Sequence, residues 1–305
     1  MAEITAQLVS ELRKRTGAGL MDCKKALTES GGDLEKAIEL LRIQGLASAA
    51  KKAGRETKEG IAGTWVNQDG DAGLMLEVYC ETDFVARTDD FQHLVERLLQ
   101  HFASGERFAQ TAIYENTEEL LAEPLFDDTS RTVRDLLGDS VGKIGENIQL
   151  GRLAVINLSG KNAHVQQYMH MGGKVSVLVG IETGKPETLK SERFLQVAKD
   201  LSLQVAAGVP VVPVAVSRDG VPEDVLANER RIVREQTLKE GKPENLVDKI
   251  VQGRMNKFFK EAVLLEQPFI KNDKQNVKQM LDEAAKELGD TVTPLHFFRF
   301  AIGGD

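Results

Sequence analysis

The chain has 305 residues, 41% of them apolar and 28% charged, and a formal net charge of −8. That length and composition suffice for two or more water-soluble domains with cores of their own, and the charge offers nucleic acid no overall attraction. Glu3 stands among the first residues and no apolar run approaches the roughly 18 positions that span a membrane, so neither a secretion signal nor an anchor is expected and the location reads as cytoplasmic.

The first 58 residues carry 11 Lys/Arg against 8 Asp/Glu and read as three short helices. Their stripes are Leu8, Val9 and Leu12, then Cys23, Ala26 and Leu27, then Leu34, Ala37, Ile38 and Leu41, each at helical spacing. Glycines in Thr16–Gly19 and Ser30–Asp33 break the chain between them, and Asp33 can cap the third helix by accepting backbone N–H bonds. The product is a miniature three-helix bundle. Residues 45–60 then read as a basic, small-residue helix fraying into a polar linker, a domain boundary.

Beyond it Leu74, Leu76, Val78 and Cys80 alternate with Met75, Glu77, Tyr79 and Glu81, the pattern of a half-buried strand. A helix whose face is Phe91, Leu94, Val95, Leu98, Leu99 and Phe102 follows, with Asp89 or Asp90 as its expected cap. Phe84 lies between them in a connection, directly after Asp83. Either it covers the end of the core or it is meant for another molecule. Residues 59–130 hold 3 Lys/Arg against 16 Asp/Glu and would repel phosphates. Glu106–Ser130 reads as long and irregular. A second amphipathic helix around Val133, Leu136 and Leu137 leads into GKIGENI, Gly142–Ile148, and strands follow near Leu153–Leu158, Val165–His170 and Val175–Ile181.

Phe194, Val197, Ala198, Leu201 and Val205 mark another helix, and the prolines of Gly208–Val214 exclude one there. From Pro222 a very charged helix to about Glu240, a break at Gly241–Pro243 and a helix with Leu246, Ile250, Val251, Met255 and Phe258 form an antiparallel hairpin. Pro243 suits the first helical position. A helix with Val277, Leu281, Ala284 and Leu288 and an apolar strand, Pro294–Ile302, close the chain. The sum is an α+β chain: a bundle over residues 1–55, a core made of 56–151 and of 152–215 with 263–305, and a helical hairpin inserted at 216–262.

Little of this pattern carries chemistry. Cys23 and Cys80 are far apart without CxxC spacing, so reduced, partly buried thiols are expected. The five histidines are scattered, and His93 and His101 sit eight apart, not the four that places two imidazoles on one helical turn, so no metal or cofactor is expected. In GDSVGK three residues separate Gly138 from Gly142 where a phosphate loop needs four, and Ile144 follows Lys143 in place of Ser or Thr. GKIG mimics the GxxG loop of KH-type RNA binders, which leaves an RNA-binding protein as one alternative; a small bundle joined to an α+β body leaves a non-catalytic adaptor as another. No Ser/His/Asp, Cys/His or carboxylate constellation has recognisable local spacing, so an enzyme is not expected.

Five stretches occur in order: LRKRTGAGLMDCKKAL (Leu12–Leu27), ETDFVAR (Glu81–Arg87), GKIGENI, GKPENLVDKIVQGRMNKFF (Gly241–Phe259) and EQPFI (Glu266–Ile270). Together they closely resemble bacterial elongation factor Ts, over most of the chain. The resemblance implies a bundle like the ubiquitin-associated domain, a core of antiparallel sheets with helices, and a guanine nucleotide exchange factor. Its implied partner is elongation factor Tu, GDP-bound and nucleotide-free, met in the cytoplasm without GTP hydrolysis by this chain, direct nucleic-acid binding or a membrane. A 2:2 assembly is among the stoichiometries it allows. In the family, the segment matching Thr82, Asp83, Phe84 and Val85 enters the partner's G domain, where the aromatic wedges between helices and the acidic neighbour perturbs the Mg²⁺ site. Arg13, Leu20, Met21 and Lys24 match the amino-terminal docking surface. Leu20 stands where many members have Met, and the alternative for Met21 is a place in the bundle core. Ile144, Gly145, His170 and Ile270 match further partner contacts.

Overall fold

Three helices lead the chain in a computed structural model that describes residues 4–241 and 243–304: α1 (Ala6–Thr16), α2 (Leu20–Glu29) and α3 (Leu34–Lys52). Their boundaries have chemical causes. Thr5 caps α1 by accepting the Leu8 N–H at 3.2 Å, Asp33 caps α3 by accepting the Lys36 N–H at 3.1 Å, and Gly17 ends α1 in the left-handed region at φ 69°. Val9, Leu12, Cys23, Ala26, Leu27 and Ala37 close the bundle core.

Between residues 59 and 157 come β1 (Glu59–Val66), β2 (Ala72–Cys80), α4 (Asp83–Ala86), α5 (Asp89–Ala103), β3 (Ala112–Tyr114), α6 (Thr117–Ala122), α7 (Val133–Ile144) and β4 (Ile148–Asn157). The strands form one antiparallel sheet in the order β1-β2-β4-β3. β2 is central and therefore buried on both faces, not half-buried as its alternation suggests. Leu74, Leu76, Val78 and Cys80 join the cluster under α5 and α7, while Met75 packs with Ala62, Ala154 and Ile156 on the other side. Glu77 tolerates burial because the Arg152 guanidinium meets it at 2.6 Å. The cap of α5 is Thr88, whose hydroxyl accepts the Phe91 N–H at 3.4 Å; Asp89 and Asp90 occupy the first turn instead, where negative charge suits the helix dipole. Residues 106–130 are more ordered than expected: a 3₁₀ turn at Glu106–Ala109, β3 and α6 run through them, and Arg107 pairs with Glu123. Elements this short leave no periodic signal.

The second half of α3 leaves the bundle and crosses α7. A Cβ at Gly45 would lie 3.0 Å from the Gly138 carbonyl oxygen, so the two backbones nearly touch. Arg42 adds a two-pronged contact to Asp135, at 3.3 and 2.8 Å.

The remainder comprises β5 (Ala163–His170), β6 (Val175–Thr183), α8 (Glu192–Ala207), α9 (Glu223–Lys239), α10 (Glu244–Ala262), β7 (Pro268–Phe269), β8 (Asn272–Asn276), α11 (Val277–Leu288) and β9 (Val292–Ala301). A second antiparallel sheet has the order β5-β6-β9. Val177 and Val179 of one face pack under α8 and α11, with Phe194, Leu201, Met280 and Leu281. Leu178, Val165 and Phe300 on the other face meet Met75 and Ile156 of the first sheet, so the sheets stack back to back. α9 and α10 close on each other through Val233, Val247, Val251 and Met255. Leu246, read as part of that stripe, is exposed, and Pro243 is the N-cap of α10, not its first residue. The architecture is α+β, and among the described residues no helix is long and apolar enough to cross a membrane.

Candidate partner-binding site

β2 leaves the sheet at Cys80, the last residue paired with β4, opposite Ile148. The next two backbone N–H groups, of Glu81 and Thr82, both donate to Glu146 Oε2 at 3.0 Å, and the Thr82 hydroxyl donates to Glu146 Oε1 at 2.7 Å. Glu81 returns the contact: its Oε1 accepts the Asn147 N–H at 2.6 Å. That hydrogen bond holds the Glu81 carboxyl below the usual carboxylate range, helped by Arg55 at 3.3 Å against some burial. The Thr82 oxygen also accepts the Val85 N–H at 3.3 Å and so caps α4. Cys80 lies beneath, its Sγ donating to the Thr82 carbonyl at 3.2 Å. Burial, and then the Glu146 charge, push its thiol up to about 12, which keeps it protonated and unreactive.

The result is a braced helical turn. Ala86 is buried and Val85 packs on the core, but Phe84 is 78% exposed. It covers nothing, which removes the reading of Phe84 as the lid of its own core. Asp83 faces solvent partly screened by Arg87, at 2.8 Å.

The Glu146 brace comes from the end of α7. Gly145 caps that helix at φ 89°, its N–H on the Val141 carbonyl, and this left-handed residue turns the chain back toward Thr82. GKIG is thus a helix C-terminus, not a GxxG loop. Ile144 and Gly145 therefore sit beside the Thr82–Val85 turn. The α1–α2 turn is near the same place, since a Cβ at Gly17 would come 3.3 Å from Lys143 Nζ, whose ammonium pairs with Asp90 at 2.6 Å. On α2 Leu20 is 55% and Met21 73% exposed, so Met21 is outside the bundle core; Arg13 and Lys24 are exposed as well.

His170 ends β5, exposed, with Nδ1 3.1 Å from the Tyr168 hydroxyl. The turn after it docks on β1: the Gly173 carbonyl accepts the Ala62 N–H at 2.8 Å and Lys174 pairs with Glu59, the residue opposite Cys80. That places His170 toward the Cys80 end of the fold. Ile270, 40% exposed, joins β7 to β8, and its N–H donates to the buried Gln204 at 2.8 Å. Arg299, opposite Val177, donates to the Ala206 carbonyl at 3.3 Å, which brings the end of α8, and Ile270 with it, toward the His170 end of the second sheet. No described hydrogen bond links His170 or Ile270 to the Phe84 turn.

Sequence reasoning missed two features. One is Glu146, which lies within GKIGENI but meets Thr82 across 64 residues of chain, so no local pattern marks it. The second is an apolar surface of Val209, Val211 and Val212 around Ile270, tied down by Gln204 and Gln267 through the Val209 and Val211 carbonyls.

The family model "Elongation factor TS" matches residues 81–304, beginning at the braced turn. Elongation factor Ts of Aquifex aeolicus (strain VF5) is 44% identical over 301 residues, 99% of this chain and 98% of that protein. Elongation factor Ts of Nitratidesulfovibrio vulgaris (strain DP4) is 41% identical over 302 residues, 99% and 96% of the two chains. The Clostridium botulinum (strain Loch Maree / Type A3) protein is 42% identical over 300 residues, 98% and 92%. These likenesses take in the bundle as well as the core, and with them the chain belongs to the elongation factor Ts family of translation elongation.

Proposed function

We propose that the chain is a guanine nucleotide exchange factor for elongation factor Tu, working in the cytoplasm, and that the Thr82–Val85 turn is the part that expels GDP. The observation that supports this most is a large aromatic, Phe84, 78% exposed on a turn held by Glu146 and by the Thr82 cap. A GTPase holds its nucleotide through a phosphate loop, a Mg²⁺ ion and mobile segments around them. Phe84 enters between helices of the partner's G domain and displaces such segments, while Asp83 brings a carboxylate toward the Mg²⁺ environment. With the metal disturbed, phosphate charge is left unneutralised and the nucleotide leaves.

The chain makes and breaks no covalent bond in this role. It acts by binding the nucleotide-free partner more tightly than the GDP-bound one, and the difference in affinity is the whole of its effect. Arg13, Leu20, Met21 and Lys24 dock the amino-terminal bundle; Ile144 and Gly145 flank the wedge; His170 and Ile270 extend the contact across the second sheet. Stopped-flow release of a fluorescent GDP from elongation factor Tu tests the reading. The chain should accelerate release in proportion to its concentration until the partner is saturated. Binding to the GDP complex with release left at its spontaneous rate would refute exchange.

A further inference from the structure

We infer that Glu146 is a positioning residue for the Phe84 wedge, an inference that rests on the exchange reading above. Its carboxylate holds residues 82–85 in the shape that presents the aromatic. Oε2 takes the two N–H groups that follow the last sheet pair of β2, each at 3.0 Å, and Oε1 takes the Thr82 hydroxyl at 2.7 Å. That hydroxyl then has its proton directed at Glu146 and a lone pair directed at the Val85 N–H, 3.3 Å away. One side chain thus sets the strand exit and, through Thr82, the first turn of α4. A helix of four residues cannot sustain itself, so its shape depends on such outside contacts.

The anchor of the brace is rigid in turn. Glu146 follows Gly145 at the end of α7, and α7 is pressed against α3 at Gly45 and Gly138 and tied to it by Arg42 and Asp135. An exposed aromatic on a slack loop would lose conformational entropy on entering a partner. Here that ordering is complete in the free protein, so more of the contact energy is left to separate the nucleotide-free from the GDP-bound state.

Three readouts on the full chain test this: fluorescent GDP release from elongation factor Tu, amide hydrogen exchange at Thr82 and Val85, and melting. Glu146→Ala should slow factor-promoted release about tenfold, equivalent to about 1.4 kcal/mol, and strip protection from both amides while melting changes little. Glu146→Gln should recover most of the rate, since its amide oxygen can accept both N–H groups and its NH₂ can donate to the Thr82 oxygen. Adding Glu146→Ala to Phe84→Ala should slow release no further, because a positioning residue acts through what it positions. Parental release by Glu146→Ala beside slow release by Phe84→Ala overturns the inference and leaves the wedge standing. A fully additive double variant overturns it too, assigning Glu146 to the fold at large. Parental release by Phe84→Ala sinks the wedge itself, and unchanged protection at Thr82 and Val85 in Glu146→Ala would then remove the brace as well.

Discussion

Two glycines in the middle of long helices should respond in opposite ways to the same methyl group. Gly45 lies within α3 and Gly253 within α10, and neither has a positive φ. Replacing a helical glycine by alanine limits the unfolded chain and gains about 1 kcal/mol of helix propensity. At Gly253 nothing lies within 4 Å of the added Cβ, so Gly253→Ala should stabilise by about 0.5–1 kcal/mol. At Gly45 the methyl would meet the Gly138 oxygen at 3.0 Å, the Gly138 carbonyl carbon at 3.3 Å and Asp139 Cα at 3.5 Å. All three are backbone atoms of α7 and cannot rotate away. The helices must part, and overpacking of this kind costs about 1–3 kcal/mol, which leaves Gly45→Ala destabilised by about 1 kcal/mol net. The Arg42–Asp135 pair, one turn away, would be stretched with it. Urea titrations of the two variants should therefore differ by about 2 kcal/mol in opposite directions from the parent. A Gly45→Ala protein as stable as Gly253→Ala would show that the α3–α7 crossing is looser than described and that the base of the Glu146 brace is not rigid.

Met21→Asp, at a residue 73% exposed, should alter stability by less than about 0.5 kcal/mol yet weaken calorimetric binding to elongation factor Tu about tenfold; unchanged affinity would remove the docking role of the bundle. This change isolates docking better than deleting residues 1–52, which would uncover α7. Burial pushes the Asp135 carboxyl up, but the Thr132 N–H and the Arg42 guanidinium outweigh it and hold it below the usual carboxylate range. A lowered folded value means stability that is full above about pH 4 and lost as pH falls through that lower value. Asp135→Asn should then be less stable than the parent at pH 7, and the gap should narrow below pH 4; an equal gap at both would assign the site no linkage to acid.

The bundle is legible because its stripes are interrupted by glycines at positive φ and by an aspartate whose side chain caps α3. The hairpin is legible for a related reason: its charge density excludes the core and Gly241–Pro243 supplies a sharp break. β1 is not legible. Gly63 leaves room for Val95 and Leu99 of α5, Ala62 bonds to the β5–β6 turn, and Gly60, at φ 144°, lies against the Val78 and Tyr79 backbone of β2, so no alternation survives that packing. Residues from Gly45 read as a small-residue helix, and they are the continuation of α3 to Lys52; small residues are what its close crossing with α7 requires. At the site, the residues alone leave Phe84 either as a cover for the core or as a contact for another molecule, and only the family resemblance points to the exposure it has. The brace could not be read, since Glu146 acts across 64 residues of chain on a hydroxyl that looks like an ordinary helix cap.

The central claim is that Phe84 converts binding into release. With 78% of the residue already exposed, Phe84→Ala removes little buried area, so the free protein should lose under about 1 kcal/mol. Burying the exposed part of the ring, roughly 150 Å², against a partner would contribute about 3–4 kcal/mol, a few hundredfold in an equilibrium constant. Only the share made in the nucleotide-free complex counts, so release should slow by roughly tenfold or more. The measurement is stopped-flow release of fluorescent GDP from elongation factor Tu, parent and Phe84→Ala side by side at saturating factor. Release at least about tenfold slower, with the melting curve of the free variant nearly unmoved, is the predicted result; release at the parental rate by a well-folded Phe84→Ala would contradict it.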